Sequence, residues 1–227
     1  MEYILLIIVG LLGLIFGATK FFRKTNTDSN SLASFEIIKE YIPNGNQNRP
    51  GTNISVSKIT VHNTSNPSSG ADAQSHSNLV RGSWPHSWHY TVDDTLIIQQ
   101  LPINEKGLHA KSAANNTSIG IEICMHQENN QSKANDNAAK LVAYLMNELG
   151  LGIDKVVTHN FWTGKNCPTL LLSQWDNFID LVQSYYTQID GGNINVNLLE
   201  GRDLETARQE QFVPDSEMCW EEDGLES

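Results

Sequence analysis

The chain has 227 residues, 39% hydrophobic and 18% charged, which is ordinary globular usage with room for one sizeable domain plus extensions. Its 15 Lys and Arg stand against 26 Asp and Glu, a net charge of −11, and this excludes a nucleic-acid binder that gains affinity by neutralising phosphates. Cys124, Cys167 and Cys219 are too few and too scattered for a disulfide framework.

In chain order, the run from Tyr3 to Ala18 is apolar, with Phe21 and Phe22 extending it and Lys20, Arg23 and Lys24 following. It lacks a basic leading segment, and Phe16 occupies a position where a signal peptidase needs a small residue. Residues 1–24 therefore read as an uncleaved membrane anchor, residues 25–34 as a polar linker, and 44–51 as a turn-rich loop. The ordered domain is expected over 35–189, without internal repeats. Residues 56–61 alternate at period two and predict a strand ending at His62. Residues 71–81 predict a helix. Residues 89–92 and 96–99 flank Asp93-Asp94-Thr95, a hairpin signal, and residues 118–124 predict another strand. Ala138, Leu141, Val142, Leu145 and Leu149 recur at helical spacing with Gly150 just beyond. A short strand over 155–158 leads to His159. After Pro168, Leu172, Trp175, Phe178, Ile179, Val182 and Tyr186 mark a second long amphipathic helix. Strands and helices interleave, so the fold class is α/β, a mixed central sheet flanked by helices. Residues 190–227 hold eleven acids against Arg202 and Arg208, leaving 13 basic and 15 acidic residues in 1–189. This extension reads as a mostly disordered acidic tail, with a short helix around 198–209 as its one ordered element.

The chemistry-bearing residues gather at strand ends. His62 and His159 each close a strand, and Cys167 follows His159 by eight residues across a glycine-containing loop. Two neutral imidazoles and a thiolate would give Zn²⁺ three ligands and leave a fourth position open, the pattern of a catalytic site. On spacing alone, a surface or capping role is the favoured reading for each histidine. Glu122 shares a strand face with Gly120 and Cys124, opposite the apolar Ile119, Ile121 and Ile123. A buried carboxylate on that face needs a partner, for which a metal-bound water would serve; the plainer alternative is a solvent-facing Glu or a salt bridge with a nearby Lys.

Four strings occur in order along the chain: Ile59-Thr60-Val61-His62-Asn63-Thr64, Ser87-Trp88-His89-Tyr90-Thr91-Val92-Asp93-Asp94, Thr117-Ser118-Ile119-Gly120-Ile121-Glu122-Ile123 and Thr158-His159-Asn160-Phe161-Trp162-Thr163-Gly164-Lys165-Asn166-Cys167-Pro168. Together with 42–51 they resemble the zinc-dependent N-acetylmuramoyl-L-alanine amidases, the type 2 amidases of phage endolysins and bacterial autolysins, related to peptidoglycan-recognition proteins. The resemblance covers about residues 42–182. It implies a single domain of the type 2 amidase fold, Zn²⁺ as cofactor, and His62, His159 and Cys167 as its ligands. It further implies Glu122 as catalytic carboxylate and Lys165 as the group stabilising the developing oxyanion. His109, in Gly107-Leu108-His109-Ala110, corresponds to a histidine near the substrate groove, although Leu108 stands where the family often has Trp; His89 and Tyr90 are assigned to the groove wall. The implied reaction is cleavage of the bond between N-acetylmuramic acid and L-alanine in peptidoglycan.

Two other readings stand beside it. One is a peptidoglycan-binding module without catalysis, disfavoured by the full set of ligand and catalytic residues. The other is a cysteine peptidase using Cys167 with His159 as base, which Pro168 directly after the cysteine fits poorly. The expected partners are peptidoglycan and, through the N-terminal helix, a membrane; nucleic acid is not among them, and the chain is expected to be a monomer. The expected location is membrane-anchored with the domain acting on the wall outside, although Lys20, Arg23 and Lys24 favour a cytoplasmic domain.

Overall fold

A computed structural model describes residues 33–82 and 84–201. The anchor expected over 1–24, and most of the acidic extension, lie outside the described residues. Among those described, no helix is long and apolar enough to cross a membrane.

Seven strands form one mixed sheet. They are β1 (Ala33–Lys39), β2 (Lys58–Asn63), β3 (Tyr90–Val92), β4 (Ile97–Gln99), β5 (Ser118–Ile123), β6 (Val156–Thr158) and β7 (Ile194–Glu200). Their order across the sheet is β6-β2-β5-β3-β4-β1-β7. Neighbours run parallel, except that the β3–β4 hairpin is antiparallel. The helices are α1 (Ala73–Arg81), α2 (Ser112–Asn115), α3 (Gln131–Leu149), α4 (His159–Thr163) and α5 (Trp175–Asp190). The expected α/β class with a mixed sheet and flanking helices is what the chain adopts.

Period-two alternation divides the sheet into two unlike faces. Ile59 and Val61 of β2, with Ile119, Ile121 and Ile123 of β5, are fully buried and pack with α3 and α5 in the main core. Each such side chain contributes about 1.5–3 kcal/mol on leaving water. Helix α3 starts where the Asn130 side chain accepts from the Lys133 N–H, and it buries Ala138, Leu141, Val142 and Leu145 at the spacing read from the sequence. The opposite face carries Thr60 and His62 in register with Gly120 and Glu122. Those polar side chains are also buried, and the Trp162 indole of α4 donates to the Thr60 hydroxyl. A buried polar face must satisfy its groups internally or hold something that does.

Two segments depart from the sequence expectation. Residues 33–34, read as the end of a linker, open β1. Residues 194–200, read as the start of a disordered tail, form β7, paired in parallel with β1 from Ala33↔Ile194 to Lys39↔Glu200. Ile194 is buried beside Phe35 and Ile37 in the main core, so apolar alternation outweighs the acidic character of the extension in which it lies. The helix expected around 198–209 does not begin there, since Leu198–Glu200 are strand.

Candidate metal centre

Strand β2 carries His62 to the C-terminal edge of the sheet, and β6 delivers His159 to the same edge one strand away. His159 is the first residue of α4, whose N-terminus is capped by the Thr158 hydroxyl accepting from the Phe161 N–H at 3.1 Å. Helix α4 ends at Gly164, at φ +79, a left-handed turn that a residue with a Cβ adopts only with strain. The turn folds the chain back: the Asn160 N–H donates to the Cys167 carbonyl at 2.8 Å, and the Asn160 side chain donates to the Lys165 carbonyl at 2.7 Å. The Leu170 N–H is held by the Asn63 side chain at 3.0 Å. Thus Cys167 lies against His62 although 105 residues separate them.

The ligand atoms of His62, His159 and Cys167 lie within 4.8 Å of one another, and all three residues are buried. The His62 Nδ1 is 3.1 Å from the His159 Nδ1 and 3.8 Å from the Cys167 Sγ. Tetrahedral zinc with ordinary bond lengths has N···N and N···S edges of about 3.3 and 3.6 Å, so the spacing fits such an ion. Zinc takes a cysteine as its thiolate, so the site needs Cys167 in its reduced form.

Glu122, in register with His62 on the adjoining strand, is fully buried, and neither of its carboxylate oxygens has a hydrogen-bond partner. One oxygen lies 3.6 Å from the His62 Nδ1. Burial pushes the Glu122 carboxyl well above the ordinary carboxylate range, with the Lys165 charge opposing. The Lys165 Nζ is itself enclosed and makes no hydrogen bond. Burial drives His62 well below the usual imidazole range, helped by His159, His109 and Lys165. These groups remain incompletely satisfied among themselves, and a dication coordinated by the neutral imidazoles and the thiolate would supply the missing charge.

The three residues that the resemblance assigns to the groove are all buried. His109 is buried, its Nδ1 3.1 Å from the His62 Nε2 and its Nε2 3.3 Å from the Ser118 carbonyl oxygen. Burial and the neighbouring His89 push it down to about 3. His89 is also fully buried: its Nδ1 accepts from the Gly120 N–H at 3.0 Å and its Nε2 donates to the Glu105 carbonyl at 2.9 Å. That uses both ring nitrogens and leaves none for a ligand. Tyr90 points to the other side of the sheet, because it sits in register with the core residue Ile121. There it lines a pocket with Tyr41 and Tyr144. A one-residue step along a strand reverses the face, so neighbours in sequence could not share the groove. Sequence spacing gave no sign of the packing around these groups, such as the Trp162 indole donating to the Thr60 hydroxyl at 2.9 Å.

Residues 52–170 match the N-acetylmuramoyl-L-alanine amidase family. The chain is 44% identical over 153 residues to N-acetylmuramoyl-L-alanine amidase CwlH of Bacillus subtilis (strain 168), covering 65% of this chain and 61% of that protein. It is 46% identical over 146 residues to amidase XlyA of the same organism, covering 63% of this chain and 49% of XlyA. It thus spans about half to three fifths of the length of these relatives. The solved catalytic domain of XlyA superposes with a TM-score of 0.63 at 45% identity, covering 64% of this chain and 98% of that domain. The membrane-anchored location expected from the apolar N-terminal run is corrected by the comparisons, which match this chain to the catalytic domain of XlyA; residues 1–24 themselves lie outside the described residues. By the family match and by fold, the chain belongs to the type 2 N-acetylmuramoyl-L-alanine amidases.

Proposed function

We propose that this chain hydrolyses the amide bond between N-acetylmuramic acid and L-alanine in peptidoglycan, using a zinc ion held by His62, His159 and Cys167. The observation that carries the reading is the convergence of those three ligand atoms within 4.8 Å beside the enclosed, unpartnered carboxylate of Glu122. The names of CwlH and XlyA support the reaction class. The catalytic unit is the described sheet and its helices, from β1 to β7.

Zinc, when bound, supplies Lewis acidity and brings the pKa of water down to about 7. The residues do the rest. Glu122 takes the proton of the attacking water and returns it to the leaving nitrogen, a role suited to a carboxyl whose proton affinity burial has raised. Lys165 offers an unpartnered Nζ to the carbonyl oxygen as negative charge develops there. The hydrogen bonds that knit residues 160–167 hold Cys167 and Lys165 in place before substrate arrives, so little ordering remains to be done in the transition state.

The test is digestion of purified cell walls by reduced protein, with new N-terminal alanine as the readout. A chelator should abolish release and added zinc should restore it. Chelator-resistant release would overturn the zinc reading, and wall binding without release in either condition would overturn the enzymatic one.

A further inference from the structure

We propose that His109 is a positioning residue of the metal centre, fixing which nitrogen of His62 faces the ion, rather than a group that meets substrate; this rests on zinc binding by His62, His159 and Cys167. The order of protons along the two rings decides it. The Ser118 carbonyl oxygen can only accept, and it lies 3.3 Å from the His109 Nε2, so that nitrogen carries the hydrogen. A neutral imidazole has a single N–H, so the His109 Nδ1 is an acceptor. The His62 Nε2, 3.1 Å away, must then be the donor. The lone pair of His62 is left on Nδ1, the atom 3.1 Å from the His159 Nδ1 and 3.8 Å from the Cys167 Sγ. A carbonyl of β5 thereby dictates, through two rings, the ligating nitrogen on β2. The two rings meet edge to face, their planes at 89° and centroids 5.2 Å apart, so His62 cannot turn without losing the bond.

The backbone is shaped around this ring. A Cβ at Gly120 would lie 2.6 Å from the His109 Cγ, and one at Gly107 would lie 3.2 Å from its Cδ2. The two glycines admit the imidazole between β5 and the loop that carries it. The Asn115 side chain accepts from the backbone N–H groups of both His109 and Ala110, at 3.0 and 2.8 Å. With its main chain clamped, its ring enclosed and 1% of the residue exposed, His109 has no surface to offer substrate.

Two substitutions separate positioning from packing. His109→Leu fills much of the space but removes the acceptor; His109→Asn retains an oxygen where Nδ1 stood. Zinc affinity of the reduced proteins, measured by competition with a chromophoric chelator, should fall about 10–100-fold for His109→Leu and stay near wild type for His109→Asn. A long-range proton–nitrogen spectrum of the metal-free wild type should place the His62 proton on Nε2. Wild-type affinity in His109→Leu, or a His62 proton on Nδ1, would overturn the proposal. If His109→Leu fails to fold, the asparagine variant and the wild-type spectrum decide. If reduced wild type binds no zinc, the zinc reading falls, while the His62 tautomer in the same sample still decides whether His109 sets it.

Discussion

Gly120→Ala tests the central steric claim without reference to metal or substrate. The added Cβ would meet the His109 ring at 2.6 Å (Cγ) and 2.8 Å (Cδ2 and Nδ1), about 1 Å inside ordinary contact. Neither side can yield freely. Strand β5 is paired on both flanks, to β2 and β3, and the Gly120 N–H and carbonyl are both bonded to His89. The His109 ring is tied to His62 and Ser118. Overpacking of this kind costs about 1–3 kcal/mol, and displacing the ring strains two hydrogen bonds of about 0.5–1.5 kcal/mol each. A loss of about 2–4 kcal/mol corresponds to a fall in Tm of roughly 4–16 °C for a domain of this size. Thermal unfolding followed by circular dichroism measures it. The decisive comparison is a double-mutant cycle with His109→Ala, which removes the obstructing ring. The pair should be less destabilised than the sum of the singles by about 1 kcal/mol or more. Strict additivity would refute the idea that Gly120 exists to admit His109.

Acid sensitivity should come from buried neutral histidines. Burial pushes both His76 and His89 down to about 4; unfolded, each binds a proton near 6.5. Between those values the unfolded chain holds more protons, so stability is full above about pH 6.5 and is lost on acidification towards 4, by about 1.4 kcal/mol per pH unit for each histidine. Urea unfolding of His76→Gln across pH 4–7 should show a shallower slope than wild type, and an unchanged slope would count against the assignment. The redox state of Cys167 should control metal binding, because zinc takes the thiolate and not an oxidised sulfur. Equilibrium dialysis should find about one zinc per reduced chain and none after oxidation; equal binding in both states would remove Cys167 from the ligand set.

Much of the framework is legible in the sequence because it rests on local periodicity. Ile119, Ile121 and Ile123 announce a half-polar strand with a buried face, and α3 announces its apolar stripe with Gly150 just beyond. Strands β1 and β7 carry the same signal in Phe35 and Ile37 and in Ile194 and Val196. There the polar residues before Phe35 and the acids after Glu200 obscured it, since composition averaged over a window hides a seven-residue strand. The proposed ligand set was legible for a different reason, as ordered motifs rather than as spacing.

The roles of His89, Tyr90 and His109 show where sequence runs out. All three stand in or near motif strings, yet Tyr90 faces the α3 core, His89 spends both nitrogens on backbone, and His109 supports His62 from behind. The sequence by itself determined the α/β class, the two faces of the central strands, and which residues can act as ligands, acid or base, because these follow from side-chain chemistry and period. Only the tertiary structure decided which of those residues meet. The Nδ1 of His62 comes to lie 3.8 Å from a sulfur 105 positions away through strand register, the return of the chain at Gly164, and close packing on a buried polar face, none of which a local pattern encodes.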